Sequence, residues 1–187
     1  MKNLIRRPIV ITLLAGLAAA SLHAAPETLP AVDFGKLPGP ASGGEFVEVN
    51  VSSNLIAMAV RLAKDAEPEI TGALRNLQRI HVNVIGLDDG NRAQVQERVK
   101  TIRTDLDTQG WERLVAVQQD EQNVVVQIKT KGDQLVQGLM VTIFTGKKQA
   151  VLVNIVGDID PDKLALIGER FDIDPLKKLQ LQGKKKS

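Results

Sequence analysis

The chain has 187 residues, of which 43% are hydrophobic, 25% charged and 3% aromatic, with no cysteine and two histidines. That length suits one domain with or without tails, and the composition is that of a folded globular protein rather than a disordered or fibrous one. Zero cysteine excludes a disulfide framework, a thiol nucleophile, a thiolate metal site and an acylated cysteine.

Lys2, Arg6 and Arg7 precede an uncharged, mostly apolar run of 14 residues, 9–22, which exits through Ser21-Leu22-His23-Ala24-Ala25-Pro26. A basic head, a short apolar run and a small-residue exit are the layout of a secretory signal peptide. Cleavage is expected after Ala24, because cutting after Ala25 places Pro26 beside the scissile bond. The alternative, an uncleaved anchor, suffers from a run shorter than the ~20 apolar residues that a spanning helix needs. Loss of residues 1–24 takes Lys plus Arg from 24 to 21 against 22 acidic residues, so the net charge falls from +2 to −1. Three of the remaining lysines, Lys184, Lys185 and Lys186, stand at the very end. The body between is mildly acidic and offers no electrostatic case for nucleic acid.

Residues 25–44 hold Pro26, Pro30, Pro38 and Pro40 with Gly35, Gly39, Gly43 and Gly44. This density reads as an extended tether, with Val32, Phe34 and Leu37 leaving room for a short docked segment. A single domain is expected over 45–180, with a basic tail over 181–187. Residues 45–51 alternate, Val47, Val49 and Val51 against Glu48 and Asn50, as in a half-buried strand. Ser52 or Ser53 caps a helix whose apolar positions are Leu55, Met58, Ala59, Leu62 and Ala63, running to about Asp65. Pro68 starts a second helical stretch over 69–77. A strand follows at 80–87, with Ile80, Val82 and Val84 on one face and His81 on the other.

Asp88-Asp89-Gly90 is a turn and Asn91 a cap for the clearest helix, 93–109, with its stripe of Val95, Val99, Ile102 and Leu106. Gly110 suits the residue just past its end. Four short strands then follow, 111–118, 123–130, 134–144 and 149–156, joined by brief turns, which implies an antiparallel meander. The almost continuously apolar 150–156 is the strand expected deepest in the sheet. Asp160-Pro161 and Asp174-Pro175 each open a short helix as cap and first residue. The order β-α-α-β-α-β-β-β-β-α-α predicts an α+β fold, a mixed, largely antiparallel sheet with helices packed on it. Right-handed crossovers apply to the early connections only if those strands lie parallel.

The motifs exclude more chemistry than they support. Asp158, Asp160 and Asp162, with Glu169 at the twelfth position, imitate a calcium loop. Lys163 stands where that loop needs glycine, and Pro161 suits a helix start, so acidic helix caps explain the pattern better. The repeat of Asp-Ile-Asp-Pro at Asp172–Pro175 is read in the same way. His81 is a lone histidine after cleavage and makes no zinc site without cysteine partners. There is no nucleophile elbow and no glycine-rich phosphate loop, and too few aromatics for base stacking. No catalytic, metal-binding or cofactor-binding residue is assigned, and no cofactor is expected.

The Phe46–Leu62 strand and serine-capped helix, the strand ladder from Val124 to Val156, and the Val153-Asn154-Ile155-Val156-Gly157-Asp158-Ile159-Asp160 passage running into Leu164 and Ile167 together resemble a bacterial envelope family, the domain of unknown function numbered 4252. The resemblance spans roughly 45–180. Many members look like lipoproteins, from which this chain departs in having no cysteine to acylate. The family brings no established catalytic residues. Its members are often encoded near extracytoplasmic-function sigma factors, which implies a link to envelope signalling.

The expectation is therefore a periplasmic or secreted, non-enzymatic binding or regulatory module acting on another envelope protein, with an exposed apolar patch or sheet edge as the contact. The alternatives are an unrecognised periplasmic enzyme using Asp158 or Asp160 with Lys or Arg, and a peripheral membrane protein held by Lys184, Lys185 and Lys186.

Overall fold

The structure, a computed structural model, describes residues 29–41, 43–62, 68–119, 122–132, 135–146 and 148–161. Within them the chain forms β1 (Phe46–Ser52), α1 (Ser53–Leu62), α2 (Pro68–Arg75), β2 (Leu77–Gly86), α3 (Arg92–Thr108), β3 (Glu112–Gln119), β4 (Gln122–Lys131), β5 (Leu135–Thr145) and β6 (Gln149–Ile159). The six strands make one sheet in the order β1-β2-β6-β5-β4-β3, antiparallel at every pairing. This is the expected α+β architecture, with no parallel pair in the sheet. The helices expected after Asp160 and Asp174, the cleavage site at Ala24 and Ala25, and Lys184 to Lys186 lie outside the described residues.

The connections follow from the strand order. β1 and β2 are antiparallel neighbours, so the helical pair between them is not a parallel crossover. β2 and β3 run the same way with three strands between them, and α3 carries the chain across one face of the sheet. β3 to β6 form the meander that short turns demand. β6 lies between β2 and β5, and residues 152–157 are buried. That central place accounts for its almost continuously apolar sequence, broken only by the hydrogen-bonded Asn154 over 150–156, since a strand covered on both sides has no solvent face to make polar.

Period-two alternation sorts the side chains onto two faces. Ile80, Val126, Val141, Val153 and Ile155 point to the face that carries α1, where Ile56 is buried and Val60 and Leu74 pack. Ile85, Met140, Ala150 and Leu152 point to the face that carries α3. The α3 stripe Val95, Val99, Ile102 and Leu106 is buried in full. Each such side chain stabilises the fold by about 2 kcal/mol relative to exposure. Gly110 ends the helix at φ 74°, a left-handed conformation open to glycine. Lys129 Nζ donates to the carbonyls of Gln109 and Gly110 at 2.6 and 3.3 Å, placing a cation at the negative helix end.

Two local expectations shift. Leu77, expected on the second helix, instead begins β2 opposite Gly157, because burial there outweighs one more helical residue. Asn91 stands at the N-cap position of α3 but makes no cap hydrogen bond. Its Oδ1 accepts from the Asp88 N–H at 2.9 Å, and its Nδ2 donates to the carbonyls of Gly86 and Pro38 at 2.9 and 3.2 Å. The side chain ties together β2, the turn and the segment before β1.

That segment, 29–41, is docked rather than loose, and forms a strap over the α3 face. Phe34 is 1% exposed and Leu37 is buried with it. The Val32 N–H donates to Asn154 Oδ1 at 3.0 Å. Arg98 donates to the carbonyls of Phe34 and Asp33 at 2.9 and 3.0 Å. Gly138 leaves the space in which the strap and Trp111, just before β3, meet. A Cβ there would lie 2.6 Å from the Trp111 ring and 3.0 Å from Pro30. The prolines and glycines that suggest a tether are those of a segment that follows a surface without regular hydrogen bonding.

Candidate functional site

His81 lies on the α3 face, opposite to Ile80 and Val82 as the alternation requires. Its Nε2 is 3.3 Å from Glu48 Oε1. The Phe34 ring stacks on it with centroids 4.3 Å apart and planes 13° apart. Beside it Arg79 Nε donates to Asn50 Oδ1 at 3.1 Å. These contacts join the strap to β1 and β2, and they place no nucleophile against the imidazole. The residue serves the sheet face.

The carboxylates singled out by the calcium-like spacing do not converge. Asp158 is held in β6, where its N–H donates to the Asn76 carbonyl at 3.2 Å. It borders a cavity of about 70 Å³ with Pro30, Gln78, Lys131 and Gln137. Small-molecule sites are typically ~300–1,000 Å³. Asp160 lies just past the end of β6, and Asp162, Glu169, Asp172 and Asp174 lie outside the described residues. Among the described residues no group of three or more acidic or histidine side chains is placed to hold a metal ion.

A larger depression of about 470 Å³ opens between the strap and two turns, bordered by Pro40, Glu45, Leu87, Asp88, Thr145 and Lys148. Glu45 Oε2 accepts from Gln149 Nε2 at 2.9 Å, and further polar groups serve the turns. Lys148 N–H donates to the Thr145 carbonyl, Leu87 N–H to the Lys148 carbonyl, and Asp88 Oδ1 accepts from the N–H groups of Gly90 and Asn91.

A half-buried cation bridges α3 to the meander. Arg103 Nε donates to Thr142 Oγ1 at 2.8 Å, and Nη2 donates to the same hydroxyl and to Asn123 Oδ1. Burial, with a smaller contribution from the like charge of Arg113, pulls its pKa down to about 10. One turn on, Gln127 Nε2 donates to Asp107 Oδ1 at 2.7 Å, and Arg113 pairs with Asp107 at 3.2 Å. Each donor meets an acceptor from another element, so the cluster positions α3.

The α1 side of the molecule is different. Of the residues expected to face inward, Leu55, Met58, Ala59 and Leu62 are exposed and Ala63 lies outside the described residues, and Ile56 and Val60 turn to the core instead. Leu55, Met58 and Leu62 are 47%, 52% and 74% exposed. Helical spacing cannot choose between these stripes, because seven of the ten α1 residues are apolar. The choice falls to the junction: β1 ends at Ser52 and α1 begins at Ser53, with no loop to let the helix rotate. Val47 and Val49, on the α1 face of the neighbouring edge strand, are also exposed. A helix apolar on nearly all sides, yet lying at the surface, was the sequence signal for an unpaired flank. One such stripe suffices for a core, so the pattern alone does not declare the second.

The fold thus defines a class: an α+β domain built on one antiparallel sheet, with exposed apolar side chains on its α1 side. A family model described as "Domain of unknown function (DUF4252)" matches residues 43–167, well over half of the chain, and the chain belongs to that family. The match takes in all six strands and the α1 flank and leaves the strap outside. No curated protein and no solved structure matches this chain.

Proposed function

We propose that this chain is an exported, non-enzymatic module that binds another protein of the cell envelope in a regulatory role such as envelope stress signalling. The observation that carries the proposal is the exposure of Leu55, Met58 and Leu62 on α1 and of Val47 and Val49 on the adjoining strand β1. Clustered large apolar side chains on a water-exposed surface mark a contact for another molecule. The basic-apolar-small layout of residues 1–25 supports export.

The test is a photo-crosslinking residue placed at Met58 in cells, with Lys100, exposed on α3, as the control position. The expected result is a specific protein adduct from position 58 that disappears with Leu62→Glu and is not formed from position 100. Equal adducts from both positions, or adducts indifferent to Leu62→Glu, would overturn the proposal.

A further inference from the structure

The two edges of the sheet are built differently. β3 carries Glu112 and Arg113 and is interrupted by a register shift between Arg113 and Val115. Charges and bulges are the devices by which edge strands avoid pairing with other strands. β1 has neither a lysine, a proline nor a register shift along its pairing with β2, and its one charge is Glu48. Of its seven residues three are valines, all on the α1 face. Among the described residues nothing pairs with its outer side.

We propose that β1 pairs antiparallel with β1 of a second copy of this chain, about a two-fold axis through Val49. The hydrogen bond from Gly86 N–H to the Glu45 carbonyl sets the alternation. Glu45, Val47, Val49 and Val51 direct their backbone groups to β2, which leaves those of Phe46, Glu48, Asn50 and Ser52 facing outward. Only registers that join these outward groups satisfy them. With the axis at Val49, Glu48 of each copy faces Asn50 of the other, Phe46 faces Ser52, Val47 faces Val51, and Val49 faces itself. All seven residues pair, and an acceptor carboxylate lies opposite a carboxamide. Moving the axis to Glu48 sets two carboxylates against each other, which disfavours it. Moving it to Asn50 leaves Phe46 and Val47 unpaired.

An axis perpendicular to the sheet keeps both α1 helices on one side. The valines of the two edges then form a continuous strip between them, and two α1 stripes flank it. The inference follows from the edge strand; it shares Val47 and Val49 with the proposed envelope contact, and the purified-protein test below reads it separately from that contact.

The chain has no cysteine, so a single introduced thiol links only to another copy. Facing residues outside the hydrogen-bonded positions have Cα atoms roughly 4.5 Å apart, within disulfide reach. In this register the two Val47 positions are four residues out of step, about 13 Å apart and out of reach. Mild oxidation of purified Val49→Cys should convert it to a covalent dimer, while Val47→Cys stays monomeric on a non-reducing gel. Sedimentation equilibrium supplies a second reading at an exposed position. Asn50→Lys, facing Glu48 twice per dimer, should tighten association about 5-fold, and Asn50→Glu should weaken it about as much. A protein that sediments as a monomer up to high micromolar concentration, equal oxidation of the two cysteine variants, or linkage of Val49→Cys in cells only to a different protein would overturn the proposal.

Discussion

The α3 face and the α1 face of one sheet are closed by different chemistry. Across the α3 face, apolar packing is accompanied by directional contacts: Asn154 to the strap, Arg98 to two strap carbonyls, Arg103 to Thr142 and Asn123, Asn91 to Pro38. Across the α1 face, packing is apolar, and the helix keeps a second apolar stripe in water. Buried polar groups demand one geometry, whereas apolar contacts accept several partners of similar shape. The α3 face is thus committed to its own chain, and the α1 side leaves apolar surface in water, as the proposed contact requires.

The largest effect is expected where both faces depend on the sheet itself. Gly157 sits at φ 151°, and a Cβ there would lie 2.3 Å from the Asn76 carbonyl and 2.7 Å from the Leu77 Cα, both backbone atoms that cannot swing aside. Gly157→Ala should cost about 4 kcal/mol or prevent folding, as read by urea denaturation. On the α3 face, Leu106→Ala removes a buried side chain of the helix stripe, and a loss of about 3 kcal/mol is expected in the same measurement.

Asn154→Ala strips the acceptor from the Val32 N–H and the donor to the Leu139 carbonyl. Its expected cost is about 2 kcal/mol, with faster amide exchange in the strap than elsewhere. Arg103→Met should change stability by no more than about 1 kcal/mol, because the lost hydrogen bonds are offset by the relieved desolvation of a cation. The sign of its pH dependence is set by the lowered pKa. The charged form is disfavoured in the fold, so this destabilising contribution is fully present below about pH 10 and is relieved as pH rises from there toward the usual arginine range. The variant should therefore track the parent in parallel at neutral pH. The smallest stability effect sharpens the contrast most: Leu55→Glu should shift stability by less than about 0.5 kcal/mol while abolishing the adduct proposed for position 58. A large loss of stability there would mean that the α1 stripe belongs to the core after all.

Much of the fold is legible in the residues. Alternation over Val47-Val49-Val51, the 3.6 spacing of Val95, Val99, Ile102 and Leu106, Pro68 as the first residue of a helix, and the turns that separate β3 to β6 each declare an element from local chemistry. The surface is less legible. On α1 two apolar stripes compete, and only the direct β1–α1 joint chooses Ile56 and Val60 for the core. In the strap, Phe34 has no periodic neighbours to mark it as buried. Asn91 has the composition of a cap and spends its hydrogen bonds elsewhere, because Gly86 and Pro38, distant in sequence, come within its reach.

By itself the sequence determined the elements from β1 to β6, their order and the central, two-sided burial of β6, because helix and strand periods are properties of neighbouring residues. It also excluded thiol chemistry, through composition alone. Only the tertiary structure decided which edge is left open, which stripe of α1 meets water, and that the Pro/Gly-rich segment lies against α3 and His81. Those outcomes depend on distances between residues far apart in the chain, such as Phe34 to His81 and Val32 to Asn154, and no local period records them.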